Sequence, residues 1–382
     1  MSRREEEMNE QEGEPAPAPV GYGLDVEGFI QGLEQLLNSN PAGYSIGLNQ
    51  NGSTIASATG GLAKWPQDGS EAWTLDTRMF VASLNKIVTA IAMTRLLGEA
   101  GISPDTPIIG YLPAYWVKGN NVGDITIASL LNHTSGLAFN DMSGRMDFPF
   151  MKEQIALGIE TANLGTYQYQ DVNYGLCRVL LATINGNVPP SLLVWPTNLN
   201  DKSSFNDNLW DSSTISAYAS YVASEVFAPS GVSGPDFTHD PADALAYNFP
   251  VTGHGWNSGD QTEQAAFHMS VNELLKVMGT FRRGDTIVSP VQAQLMLDNG
   301  FGLNSPLTNP PTPAGPYYVK LGGLHDNEGH EEQCLAFFLP LNMELVVLVN
   351  SPIKGETIGN GPTGDLLYQE VSAAYRNSIV NA

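Results

Sequence analysis

The chain has 382 residues, 42% of them hydrophobic, with 17 Lys and Arg against 40 Asp and Glu and a net charge of -23. That is enough apolar material for a large core, while so acidic a surface repels phosphate backbones and anionic headgroups, which argues against nucleic acid and membrane surfaces as partners. No apolar run of about 18 residues is present, the start MSRREEEMNE lacks a signal-peptide pattern, and Cys177 and Cys334 are the only cysteines; a reducing, cytoplasmic compartment is the expectation for the sequence as it stands.

Residues 1–22, with a Glu run and the PAPAP segment, have the composition of a solvated tail. From the N-cap Asp25, the apolar residues Phe29, Ile30, Leu33, Leu36 and Leu37 recur at helical spacing up to Asn38. GYSIGLNQNGSTIASATGG then reads as two strands joined at Asn51-Gly52, a pair suited to a tight hairpin. At the other end YYVKLGG, QCLAFFLP and MELVVLVN read as strands, followed by a helix around Leu366, Leu367, Val371, Ala374 and Tyr375. Both ends therefore belong to one antiparallel sheet carrying helices, an α/β (α+β) unit formed by 24–79 and 290–382. The intervening 80–289 reads as mostly helical, with long loops at 187–215 and 228–262.

Within that segment VASLNKIVTAIAM places Ser83 at the start of a helical pattern and Lys86 one turn along on the same face. A serine alcohol needs a neighbouring base, and a desolvated lysine near a helix N-terminus has reason to hold a lowered pKa. The bland alternative is a capping serine beside a solvated lysine. Ser351 and Lys354 repeat the spacing, but in a Pro/Gly-rich loop that cannot hold the pair on one helix face.

FVASLNKIVTAIAMTRLL followed by ITIASLLNHTSGL resembles the serine β-lactamase and penicillin-binding-protein-like family, in particular the class C β-lactamase branch with its D-peptidases, amidases and carboxylesterases. That family carries Ser-x-x-Lys, then Tyr-x-Asn or a variant, then Lys-x-Gly or His-x-Gly. Tyr169-Gln170-Asp171 is similar to the second motif: Tyr169 takes the proton-shuttling position and Asp171, in place of the commoner Asn, the substrate-side one. Tyr318-Val319-Lys320-Leu321-Gly322-Gly323 resembles the third, with Lys320 presenting a charge to a substrate carboxylate or supporting the tyrosine. A second register, Leu321-Gly322-Gly323, is open and would leave the motif without its basic residue. The resemblance implies a β-lactamase-like fold and an oxyanion hole built from backbone N–H groups of Ser83 and the strand edge Gly322, Gly323 and Leu324.

It also implies an acyl-enzyme on Ser83, no cofactor, and a small-molecule or peptide-like acyl substrate. A carboxylesterase or small amide hydrolase is preferred over a true β-lactamase or D-peptidase; acyl transfer and a non-catalytic binding relative are the alternatives. Oligomeric state is not legible. His325, Asp326, Glu328, His330, Glu331 and Glu332 form a polar loop with metal-ligand chemistry, but no rigid pairing sets it apart from an acidic turn, so no metal site is assigned. His133 is expected to be structural, Cys177 to be core, and His254 and Trp256 to be pocket-lining or packing residues.

Overall fold

The computed structural model describes residues 21–137, 140, 145–195, 202–304, 312–356 and 366–381. In chain order, β1 (Tyr22–Leu24) leads into α1 (Val26–Leu37), capped by Asp25, whose carboxylate accepts the Gly28 N–H at 3.0 Å. The hairpin β2 (Gly43–Gln50) and β3 (Ser53–Lys64) turns at Asn51 and Gly52, both at positive φ (51° and 82°), as the Asn-Gly pair requires. After β4 (Glu71–Ala72) and β5 (Met79–Phe80) come α2 (Asn85–Ala100), α3 (Ile127–Leu131), α4 (Phe148–Leu157), α5 (Val172–Ile184) and α6 (Lys202–Val222). β6 (His268–Met269), α7 (Val271–Arg283) and α8 (Pro290–Asp298) return the chain to β7 (Tyr318–His325), β8 (Glu331–Leu339) and β9 (Met343–Val349), and α9 (Leu366–Asn377) and β10 (Ile379–Asn381) close it.

The main sheet is antiparallel in the order β4-β3-β2-β9-β8-β7. Period-2 alternation sends Leu335, Phe337 and Leu339 of β8 towards α1 and α9, and Cys334, Ala336 and Phe338 into a second core with α2, α5 and α7. A sheet covered on both faces explains why β8 and β9 read as nearly unbroken apolar runs. α7 carries a capping box between Ser270 and Glu273 and lies directly on β2, where a Cβ at Gly47 would meet Val271 and Leu275.

Two sequence expectations need correction. Tyr22, assigned to the tail, pairs with Asn381 in a short β1–β10 ribbon; the rest of the expected tail, 1–20, lies outside the described residues. The 187–215 loop contains most of α6. Its buried stripe is Asn206, Trp210, Thr214, Ala217, Tyr218, Tyr221 and Val222. The spacing is helical, yet polar Asn and Thr sit inside the stripe, so a count of apolar residues misses it. Those polar groups are satisfied in place: the Asn206 side chain exchanges two 2.9 Å hydrogen bonds with the Val194 backbone.

Candidate active site

Ser83 stands on a single 3-10 turn, Ala82–Leu84, that feeds straight into α2. The turn is pinned from two sides. Val81 N–H bonds to Phe267 O at 3.3 Å, the Asn85 side chain bridges Ala82 O and Phe267 N–H at 2.8 Å each, and Cys334 Sγ of β8 lies 3.1 Å from Val81 O. Ala82 adopts φ +40°, a region that costs a non-glycine residue roughly 1 kcal/mol or more and that persists where surrounding contacts over-determine it.

Two side chains meet Ser83 and a third joins them to each other. Ser83 Oγ lies 2.5 Å from Tyr169 Oη and 3.1 Å from Lys86 Nζ. Lys86 Nζ pairs with Asp171 at 2.6 Å, and Tyr169 O–H donates to the same carboxylate at 3.2 Å. Asp171 occupies the N-cap position of α5 without capping it, which leaves its carboxylate for these partners. The expected substrate-side role gives way to that of counterion to Lys86, although Asp171 still borders the cavity.

The ion pair overturns the expectation of a lowered lysine pKa. Burial pushes the Lys86 pKa down, but Asp171 and the Tyr169 oxygen outweigh it and the net direction is up. Burial likewise raises Asp171, and pairing with Lys86 more than reverses it, holding the carboxyl below its usual range. Tyr169 is pushed up to about 12, chiefly by burial, so it rests as the phenol.

The structure selects between the two registers of the third motif. Leu321 packs in the α1/α9 core, whereas Lys320 and Gly322 point to the Ser83 face. A Cβ on Gly322 would lie 2.9 Å from Ser83 N and 3.0 Å from Val81 O, so only glycine admits the nucleophile turn this close. Lys320 is fully buried, with Nζ 4.7 Å from the Tyr169 ring centre and no hydrogen-bond partner among the described residues. Burial, with the Lys86 charge second, drives its pKa far down. It therefore underlies Tyr169 and does not reach the cavity, leaving only the second of its two expected roles.

β7 is an edge strand, and its free side is readable. Val319 O and Leu321 N–H both turn to Asn304, at 2.9 and 3.0 Å. The period of two then points the Gly323 N–H along the same free edge beside Ser83. Of the three residues expected to offer an oxyanion donor, Gly323 is the one oriented for it; Gly322 faces the β8 side, and Leu324 contributes a side chain to the cavity wall.

The cavity at Ser83 measures about 220 Å³ and is bordered by Phe80, Lys86, Asp171, Tyr174, Gly323 and Leu324. Its far wall is formed by residues that the sequence reading missed, namely Thr89, Arg178, Tyr218, Gln261 and Gln264. Tyr218 comes from the unrecognised α6 and bonds Thr89 at 2.8 Å; Arg178 is tied to Asp211 at 2.7 Å. The interval of seven from Asp171 to Arg178, two helical turns, is the one signal that could have placed Arg178 on the same face.

The remaining candidates fall elsewhere. His133 is buried, with Nδ1 meeting Gln170 N–H and Asn173 at 3.3 and 3.2 Å and its ring 4.6 Å from that of Tyr169, so it braces the tyrosine loop. His254 pairs with Asp68 at 2.7 Å and Trp256 bridges to Ala246, and neither borders the cavity. Ser351 Oγ is spent on Ala42 N–H at 2.8 Å. Asp326 closes the β7–β8 turn by accepting from Glu328 and His330 N–H at 2.8 and 3.0 Å, and Cys177 is core.

Residues 32–194, which hold Ser83, Lys86, Tyr169 and Asp171, match the family model described as Beta-lactamase. Over these residues the chain is similar to the beta-lactamase family. Similar solved structures extend the likeness of this β-lactamase-like protein across β7 to β9. FmtA from Staphylococcus aureus superposes with a TM-score of 0.63 at 17% identity over 98% of this chain and 97% of that one. The class C beta lactamase from Rhodobacter sphaeroides gives 0.62 at 16% over 91% and 98%, and the hydrolase EstCE1 gives 0.61 at 15% over 92% and 98%. At such identities the likeness is one of fold, and the β-lactamase-like arrangement of sheet and helices is what these proteins share. No curated protein sequence matches the chain.

Proposed function

We propose that this chain is a serine hydrolase that cleaves an ester or small amide through an acyl-enzyme on Ser83. The observation that carries the reading is a serine oxygen within hydrogen-bonding distance of both a phenol (2.5 Å) and an ammonium (3.1 Å) beside a cavity bordered by a glycine strand edge.

The charges suggest a division of labour. Lys86, held as ammonium by Asp171, stabilises negative charge growing on Ser83 Oγ and does not take the proton. As Ser83 Oγ bonds to the substrate carbonyl carbon, its proton passes to Tyr169 Oη, and the phenol proton moves along its existing bond to Asp171. The carbonyl oxygen becomes an oxyanion facing the N–H groups of Ser83 and Gly323. Collapse breaks the bond to the alcohol or amine, which leaves with the relayed proton; water then repeats the sequence in reverse and frees Ser83.

Lys320, the cation the family resemblance would offer to a substrate carboxylate, is sealed beneath Tyr169, and Lys86 is paired with Asp171. The burial of Lys320 supports an esterase or amidase over a β-lactamase or D-peptidase that uses this lysine for a carboxylate. Arg178, bound to Asp211 through Nη2, keeps Nε and Nη1 without partners among the described residues and is the cavity-lining cation that would meet a polar group of the substrate.

Intact mass after incubation with a fluorophosphonate tests the reading. One adduct per chain, mapping to Ser83, is expected; a folded protein that takes up no label would end the hydrolase proposal.

Asp171→Asn separates the relay from a lysine base. With the carboxylate gone, burial becomes the dominant influence on Lys86 and its pKa falls. If the relay holds, kcat/KM at pH 7 drops by about 10²-fold, and the alkaline limb moves to lower pH as Lys86 loses its proton earlier. A rate at pH 7 that is unchanged or higher would transfer the base role to Lys86.

A further inference from the structure

A second constellation lies behind the nucleophile turn, on the side of the β5–β6 ribbon. His239, Asp243 and His268 each bring one ligand atom within 4.8 Å of the others, and His239 Nδ1 to Asp243 Oδ2 is 3.9 Å. Asp243 and His268 are buried at 3% and 1% exposure, and the two imidazoles meet edge to face. His268 Nε2 lies 3.2 Å from Ser258 Oγ, but its Nδ1 is buried with no hydrogen-bond partner among the described residues. Glu332 of β8 is 1% exposed and neither of its oxygens makes a well-formed hydrogen bond. Its polar neighbours are Ser258 and the Phe80 backbone, with Asp243 close enough to act on it as a second acid.

A buried imidazole nitrogen without a partner is costly, since it gives up hydration and receives nothing in return, while Asp243 Oδ2 accepts Asp240 N–H at 2.8 Å and keeps a further lone pair. A cation would satisfy them together. We propose that His239, Asp243 and His268 bind a divalent zinc-like ion, with water in the fourth position. The donor set is of the nitrogen and oxygen kind that zinc takes in tetrahedral sites. Bonds of about 2.0–2.1 Å place tetrahedral ligand atoms roughly 3.4 Å apart. The present spacings reach that by a modest inward turn of side chains.

None of the three ligands borders the cavity at Ser83, so the ion's role is structural. His239 and Asp243 belong to the irregular stretch 231–262, and His268 to the strand paired with Phe80, three residues before Ser83. The ion would therefore fasten the long loop to the ribbon that leads into the nucleophile turn. The ion would add to the backbone bonds that already hold the loop, among them Ala244 N–H to Arg78 O at 2.8 Å, Leu245 N–H to Ala63 O at 3.0 Å and His268 N–H to Asp236 O at 2.7 Å.

The test uses the untagged full-length chain, stripped with a chelator and dialysed against micromolar ZnCl2, with bound metal counted by elemental analysis. One equivalent is expected, with a melting temperature raised by about 3 °C or more and a tetrahedral visible spectrum when Co2+ replaces zinc. His268→Ala and the more exposed His239→Gln should each lose the equivalent and the thermal gain; His239→Gln keeps the test valid if the buried variant fails to fold. Folded wild type that retains no metal would overturn the proposal. So would binding that survives His239→Gln yet is lost in His330→Gln, which would move the ion to the Asp326, Glu328 and His330 turn.

Discussion

Ser83→Ala is expected to abolish turnover of ester substrates, lowering kcat/KM by about 10⁴-fold to 10⁶-fold, the range seen when a serine nucleophile is removed from a catalytic unit. The fold should survive. Ser83 contributes one hydroxyl to a network in which Lys86 keeps its 2.6 Å pair with Asp171 and Tyr169 keeps its bond to the same carboxylate. Loss of the hydroxyl therefore changes stability by no more than about 1 kcal/mol, and its direction can favour the variant, since Ala carries no polar group to satisfy there. Thermal unfolding measured beside the steady-state rates distinguishes the two effects. Residual activity above about one per cent of wild type, after mass spectrometry excludes contaminating wild-type chain, would mean that another group attacks the substrate.

Tyr169→Phe carries the second large effect, a fall in kcat of about 10²-fold to 10⁴-fold with little change in KM. Phenylalanine keeps the ring that packs against His133 at 4.6 Å and covers Lys320 at 4.7 Å, so the pocket retains its shape. What disappears is the 2.5 Å contact to Ser83 and the onward bond to Asp171. The serine proton then has only Lys86 as a neighbour, and Lys86 is an ammonium with no capacity to accept it. The pH profile supplies a second readout. The wild-type acid limb should lie below the range in which ordinary carboxyl groups titrate, because pairing holds Asp171 ionised there against the opposing pull of burial. As pH falls through that depressed value, the relay loses its terminal acceptor and the Lys86–Asp171 pair stops contributing to stability. A Tyr169→Phe enzyme within about threefold of wild type would remove the phenol from the proton path.

The sheet and its flanking helices were legible from local pattern. The Asn51-Gly52 hairpin, the N-cap at Asp25, and the apolar runs of β8 and β9 each follow from short-range chemistry that a single segment displays by itself. Ser83 and Lys86 were legible for the same reason: they stand three residues apart on one helical turn, so their contact is local. Tyr169 and Asp171 could be nominated in order along the chain, but their contacts with Ser83 and Lys86 respectively span more than eighty residues and had to await the packing of α5 against α2. α6 stayed hidden because its inward face carries Asn206 and Thr214; Thr214 is satisfied within its own helix by Asp211 O, but Asn206 finds its partner, the Val194 backbone, only in the folded protein.

Tertiary structure alone decided the charge states, and with them the assignment of roles. An isolated Ser-x-x-Lys suggests a lysine with a lowered pKa; the folded chain gives that direction to Lys320, buried without a partner, and the opposite one to Lys86, which faces Asp171 at 2.6 Å. The pKa of a buried group depends on the balance between lost hydration and the charges within a few ångströms, and no segment of sequence specifies which distant charge will arrive there. The same limit applies to His239, Asp243 and His268: the first two stand four residues apart, but only the folding of the loop onto the β5–β6 ribbon brings His268 to them.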